Sequence, residues 1–237
     1  MTAALLAVVL AAPADVTELL RRVAARYAGL GEFLLEVKET SITAGQTPGD
    51  AVRKRLAVAS GGRFFLELRT AIRFRIVSDG EMVRSFQVGG KKYVEEELHD
   101  AGHEQVQDEV RTLVERYAAL ERVAGFARLV KMQKVKQPTG AVECAVVEVS
   151  MGDSGETGWF ETLWIDPGRA LVLRSSARNA QFSPLSHYRE YTLPPGVEQP
   201  GAALFVFTPR DGAKAVSRLP ERGNLPLRAP EARRRFQ

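Results

Sequence analysis

The chain has 237 residues, 45% apolar and 26% charged, which suits one globular domain with its own core. A single cysteine, Cys144, excludes an intrachain disulfide. The formal net charge of +4 equals that of residues 217–237 alone, where six arginines stand beside two glutamates. Because the rest of the chain is neutral overall, the basic excess sits in a tail and not on a folded face, which argues against a nucleic-acid-binding protein.

Residues 1–14 carry the pattern of an export signal. Residues 3–12 are uniformly small or apolar, and Ala12-Pro13-Ala14 has the form of a cleavage site before Asp15. About ten apolar residues are too few to span a bilayer, which takes about twenty. No Lys or Arg precedes the apolar run, so either translation starts upstream of Met1 or this is a buried N-terminal segment. We expect a cleaved signal and a periplasmic protein.

A short helix and a long β region follow the apolar N-terminus. Apolar residues recur with helical spacing from Val16 to Tyr27, and Gly29 marks the end of the predicted helix. Strict alternation then predicts an antiparallel sheet with one buried face, and Asp79-Gly80 and Gly89-Gly90 are typical hairpin turns. The strands predicted in this half of the chain are 33–38, 53–60, 63–68, 72–76 and 81–88.

The periodicity becomes helical between Asp100 and Phe126, which predicts one longer helix that covers the sheet. Alternation returns afterwards and predicts strands 127–137, 141–149, 158–165, 170–178, 186–193 and 203–208. The sequence therefore predicts an α+β protein, a curled antiparallel half-barrel of about eleven strands covered by helices. Residues 15–216 form this domain. Residues 217–237, rich in Pro and Arg, predict a disordered basic tail that either aids solubility or attracts anionic lipid headgroups.

Motifs for catalysis or metal binding are weak. Residues 152–155 read Gly-Asp-Ser-Gly, as around a serine-protease nucleophile, but no base or orienting carboxylate accompanies them. His99 and His103 are four residues apart with no third ligand nearby, so surface or capping roles are the better interpretation. The sequence has no phosphate-binding loop, no H-E-x-x-H and no C-x-x-C. We expect no enzyme activity, no cofactor and no metal.

The segment from Arg63 to Val88 carries a family resemblance. It contains a strand that ends in Val77-Ser78-Asp79-Gly80, followed by a hairpin strand with an aromatic residue, and Phe205-Val206-Phe207-Thr208-Pro209 reads F-x-F-x-P near the C-terminus. In order and spacing, this resembles the LolA-type outer-membrane lipoprotein carriers and their relatives, over about residues 15–216. The family phenylalanine near the cavity aligns with Phe64. The family arginine that ties down the lid falls at Ser60, so that latch is missing here.

The resemblance implies a half-open barrel with an apolar cavity under a helical lid. Carriers of this kind receive a triacylated lipoprotein from an inner-membrane, ATP-driven complex and pass it to an outer-membrane acceptor. We therefore predict a monomeric periplasmic carrier or chaperone for lipoproteins or lipids, since a buried methylene contributes about 0.8 kcal/mol. The candidate cavity residues are the inward rows: Phe33, Leu35, Val37, Phe64, Leu66, Ile76, Met82, Phe86 and Trp164.

Two alternatives remain open from the residues alone. Alternation identifies a face but not a void, so each candidate cavity residue could equally be plain core. The same scaffold could also serve as a periplasmic sensor or regulatory module that binds a lipoprotein or stress signal and reports to a membrane partner.

Overall fold

The computed structural model describes residues 15–42, 50–98, 104–150, 159–179, 186–217 and 219. The chain begins with helix α1 (Val16–Ala28), whose N-terminus is capped by the Asp15 carboxylate accepting from Thr17 N at 3.0 Å. Six strands follow: β1 (Phe33–Ile42), β2 (Val52–Val58), β3 (Arg63–Arg69), β4 (Arg73–Asp79), β5 (Met82–Gln87) and β6 (Lys92–Glu97).

A segment that we call the helical cover comes next, and its four pieces follow one another without a gap except at Ala119. These are α2 (Glu104–Val110), a π-helical turn (Arg111–Glu115), α3 (Arg116–Ala118) and a 3₁₀ helix (Leu120–Phe126). The sequence predicts one longer helix between Asp100 and Phe126, and the described residues 104–126 are helical, but the helix is irregular, with a π-helical turn inside it and a 3₁₀ helix at its end. None of the last three pieces has a side-chain cap, so packing against the rest of the protein holds the segment.

Five long strands and a short C-terminal segment complete the chain. The strands are β7 (Ala127–Gln137), β8 (Gly140–Ser150), β9 (Trp159–Asp166), β10 (Leu171–Asn179) and β11 (Ser186–Glu198), followed by a 3₁₀ helix (Ala202–Phe205) and β12 (Lys214–Ala215). The strand predicted at 203–208 is therefore wrong, because Phe205 inserts into an apolar cluster instead of pairing in the sheet. Strand β6 is not among the predicted strands.

All twelve strands belong to one sheet, in the order β12-β6-β5-β4-β3-β2-β1-β11-β10-β9-β8-β7. Neighbours are antiparallel except β12, which runs parallel to β6. The predicted turn at Asp79-Gly80 joins β4 to β5, and Gly80 has φ 107°, where a Cβ atom would lie 2.5 Å from the Gly61 carbonyl oxygen. The prediction of an α+β, curled antiparallel sheet with helices is confirmed.

The two faces of the sheet have different covers. The inner face packs against α1 and the helical cover and forms one continuous apolar cluster with them. The outer face carries a smaller cluster in which Leu34, Phe65 and Val77 contact Phe205 of the C-terminal segment. Within the described residues, no helix is long and apolar enough to cross a membrane.

Candidate functional site

Six of the nine predicted cavity residues lie together on the inner face. They are fully or almost fully buried in the cluster that also contains Leu113 and Leu120 of the helical cover, and they come from β1, β3 and β4: Phe33, Leu35, Val37, Phe64, Leu66 and Ile76. Strand pairing sets Leu35 opposite Leu56 and Leu66 opposite Ile76. We call the inner surface of β1–β4 that these residues form the apolar half of the inner face. In this structure its side chains are core, packed under helices.

Two of the other three predicted residues lie on the outer face. Val83 belongs to the inner cluster, so alternation along β5 turns Met82 and Phe86 to the opposite side. Phe86 packs there against Phe207, with ring centroids 5.0 Å apart. Trp164 is partly buried and packs against the inner cluster, and its indole Nε1 donates to Gln133 Oε1 at 3.3 Å. The structure thus does not bring Met82 and Phe86 to the predicted inward rows.

Buried charges continue the inner face beside the apolar half. Lys54 Nζ lies 2.6 Å from Glu39 Oε2 and 2.8 Å from Glu109 Oε1, which joins strand β2 to helix α2. Arg189 Nη2 lies 3.0 Å from the other oxygen of Glu39. Burial opposes the ionised form of Glu39, but Arg189 and Lys54 outweigh it and lower its pKa to about 2. Burial likewise opposes the charge on Lys54, but Glu109 and Glu39 raise its pKa.

A second set of polar contacts ties the helical cover to β9, β10 and β11. Arg116 forms an ion pair with Glu161, which is almost fully buried. The Tyr117 hydroxyl donates to Ser175 Oγ at 3.1 Å, and the Tyr191 hydroxyl lies 3.2 Å from the Tyr117 hydroxyl. Burial raises the pKa of Tyr117, so its hydroxyl stays protonated at neutral pH.

We call both sets together the polar half of the inner face, and the sequence analysis did not identify it. A signal existed, because Glu39 continues the inward alternation of Phe33, Leu35 and Val37 and so predicts a buried carboxylate. Within the described residues, Arg189 Nε and Nη1 are buried without a hydrogen-bond partner. This half therefore has donors left over for a polar group.

Two open pockets lie away from the inner face. One of about 400 Å³ lies between the outer surface of β5 and β6 and the C-terminal segment, where Arg84, Tyr93 and Phe207 line it. The other, of about 300 Å³, is lined by residues that include Arg55 and Gln137. The histidines at 99 and 103 and the Gly-Asp-Ser-Gly segment at 152–155 lie outside the described residues.

No family model and no curated protein matches the chain. Among solved structures it is similar to MucB, with 17% identity and a TM-score of 0.51 over 82% of this chain and 63% of that one. It is also similar to a LolA superfamily protein from Nitrosomonas europaea, with 12% identity and a TM-score of 0.34 over 82% of this chain and 98% of that one. It is similar as well to a MucA/MucB complex from Pseudomonas aeruginosa, with 18% identity and a TM-score of 0.45 over 86% of this chain and 64% of that one.

At this level of identity the likeness to MucB establishes the fold alone, and the chain spans 63% of the length of that protein. The fold is one open sheet, antiparallel except at β12, with helices on one face, and it is shared with MucB. The resemblance predicted from the sequence is confirmed at this level.

Proposed function

We propose that the protein is a periplasmic carrier that holds an acyl chain of a lipid or a lipidated protein between α2 and the apolar half of the inner face. The observation that carries the proposal is the construction of the inner face. An apolar surface four strands wide lies beside a polar half, and the helical cover above it is irregular, with a π-helical turn inside it and a 3₁₀ helix at its end. An acyl chain would replace the apolar side chains of the cover and leave the sheet intact.

The energetics support reversible binding. Each methylene that leaves water contributes about 0.8 kcal/mol, but the chain must first displace side chains that are already buried. Much of the gain is therefore an exchange of one apolar contact for another, which keeps the affinity low enough for transfer to an acceptor. The unpartnered nitrogens of Arg189 suit the polar end of such a ligand.

Uptake of a fluorescent palmitoylated peptide by the full chain tests the proposal, with the same peptide without the acyl chain as control. We expect saturable binding of the acylated peptide only, and acyl lipids in the mass spectrum of the purified protein. An acyl chain that carries a photoreactive diazirine should label β3 and α2. Labelling confined to the outer pocket beside Phe207, or no uptake, contradicts the proposal. No uptake together with stable capture of a protein partner would favour the regulatory alternative.

A pair of matched variants locates the site. Phe64→Leu changes an inner-face residue, and Phe86→Leu makes the same change on the outer face. We expect the first to weaken binding of the acylated peptide about fivefold, because about 1 kcal/mol of apolar contact is lost. The second should leave binding unchanged. Equal effects of the two variants would exclude the inner face as the binding site.

A further inference from the structure

Four cations stand in line across the outer face of β1–β4. Strand pairing sets Lys38 opposite Arg53, Arg53 opposite Arg69, and Arg69 opposite Arg73, and all four side chains are exposed. We call these residues the basic row. Like charges directly opposite each other destabilise a sheet, so the fold keeps this arrangement at a cost. Toward β11 the row ends at Glu190, the strand partner of Lys38.

The neighbouring row holds two arginines and two carboxylates, Glu36 and Glu67, so it is neutral overall and leaves the charge of the basic row in excess. Arg55 and Arg75 stand there on either side of Glu67, which has no exposed surface. Glu67 accepts hydrogen bonds from Arg69, Arg73 and Arg75. One carboxylate thus orients three guanidinium groups, and the patch keeps a positive excess.

The character of this face indicates what it binds. Of the large apolar side chains that are exposed in the described part of the chain, none lies on β1–β4. Protein interfaces depend on buried apolar and aromatic anchors, which this patch does not offer. Guanidinium groups bind phosphate oxygens through two parallel hydrogen bonds, and a row of them suits a surface of phosphate headgroups.

We propose that the basic row docks the protein on an anionic phospholipid surface. The charge complementarity selects this partner, and the C-terminal segment leaves this part of the outer face open, since it covers the cluster around Leu34 and Phe65. The docking face is opposite the inner face, so both can act at once. The inference does not depend on acyl binding.

Co-sedimentation of the full chain with vesicles tests the inference. The double variant Lys38→Gln/Arg53→Gln removes two cations that form no ion pair with any other described residue, so the contacts of Glu67 stay intact. The matched control is Lys134→Gln/Lys136→Gln, which removes the same charge from exposed positions on the far edge strand β7. The basic tail is the same in all three proteins.

We expect the unmodified chain to bind phosphatidylglycerol vesicles at low salt and not to bind phosphatidylcholine vesicles. The Lys38/Arg53 variant should bind about thirtyfold more weakly, and the control at most about twofold. Equal losses in both variants, or no binding of the unmodified chain, overturn the inference. If the chain binds polyglutamate through Lys38 and Arg53 and does not bind vesicles, the inference is overturned in favour of an acidic polypeptide partner. Uptake of acylated peptide should be normal in both variants, which separates this inference from the proposed function.

Discussion

Removal of one ion pair should loosen one end of the helical cover. Lys54 of β2 contacts both carboxylate oxygens of Glu109 in α2, at 2.8 and 2.9 Å. The contacts of Arg116 and Tyr117 tie the cover to β9 and β10 on its other side. The variant Glu109→Gln keeps the shape of the side chain and removes its charge. We expect α2 to open more often while the π-helical turn and α3 stay in place.

The magnitude follows from the surroundings of the pair. Both side chains are largely buried, with 14% and 15% of their surface exposed. The glutamine of the variant can still accept from Lys54 Nζ, so the change removes only the attraction between the two charges. For a largely buried pair this loss lies between that of an exposed pair, about 0–1 kcal/mol, and that of a broken buried pair, about 3–5 kcal/mol, and we take about 1.4 kcal/mol. Lys54 still pairs with Glu39 at 2.6 Å, which avoids the larger cost of an unpaired buried charge. A loss of this size raises the opening equilibrium of α2 about tenfold.

Hydrogen exchange measured by mass spectrometry checks this value. Amides of residues 104–110 should exchange about tenfold faster, and amides of residues 113–118 and of β8 should keep their rates. Binding of the acylated peptide should become faster in parallel. The matched control is Arg111→Gln, which breaks an exposed ion pair with Asp108 inside the cover and should change exchange less than twofold. A uniform rise in exchange over the cover and the sheet, or none in α2, would refute the reasoning.

Two stability predictions concern buried polar groups. Burial opposes ionisation of Glu67, but its hydrogen bonds with arginines lower its pKa from 4.5 to about 2. The ionised form therefore stabilises the fold above about pH 4.5, and this contribution should be lost as the pH falls toward 2. In Glu67→Gln, chemical denaturation should show that the free energy of unfolding falls by about 3 kcal/mol at pH 7. Between about pH 4.5 and pH 2, this free energy should depend less on pH than in the unmodified chain. Tyr117→Phe should lower the free energy of unfolding by about 1–2 kcal/mol, because it removes the buried hydrogen bond to Ser175. The control Tyr188→Phe, at a half-buried position, should lower it by less than about 0.5 kcal/mol. Equal losses would contradict a buried hydrogen bond at Tyr117.

Alternation predicted the inner face well where only one face is apolar. In β1, the residues Phe33, Leu35 and Val37 are separated by Leu34, Glu36 and Lys38, and two of those three are polar, so the buried phase is clear. In β5, adjacent Met82 and Val83 give each face an apolar residue, and in β9 the run 163–165 is apolar throughout. Alternation therefore does not determine the buried face of these two strands, and in β5 the outer-face residue Phe86 packs against the cluster that Phe205 of the C-terminal segment joins.

The irregular turns of the helical cover could not be read from the sequence. Apolar residues keep helical spacing from Val106 through Val110, Leu113, Tyr117 and Leu120, so the pattern predicts one helix. The backbone changes from α to π, back to α and then to 3₁₀ along this run, while these side chains stay in or against the inner cluster. Such a change depends on tertiary packing, which local spacing does not encode.

The placement of the polar contacts determines how the cover can open. The Lys54–Glu109 pair holds α2 to β2, beside the apolar half, whereas the contacts of Arg116, Tyr117 and Tyr191 hold the cover to β9, β10 and β11. Opening at α2 breaks one ion pair and exposes apolar surface that an acyl chain can cover again. An acyl chain that entered on the other side would cover the Glu161 carboxylate without its partner Arg116, a cost of about 3–5 kcal/mol that disfavours entry there. We therefore expect α2 to move away from the sheet while the contacts of Arg116 and Tyr117 stay in place, and a ligand to enter between α2 and strands β2–β4.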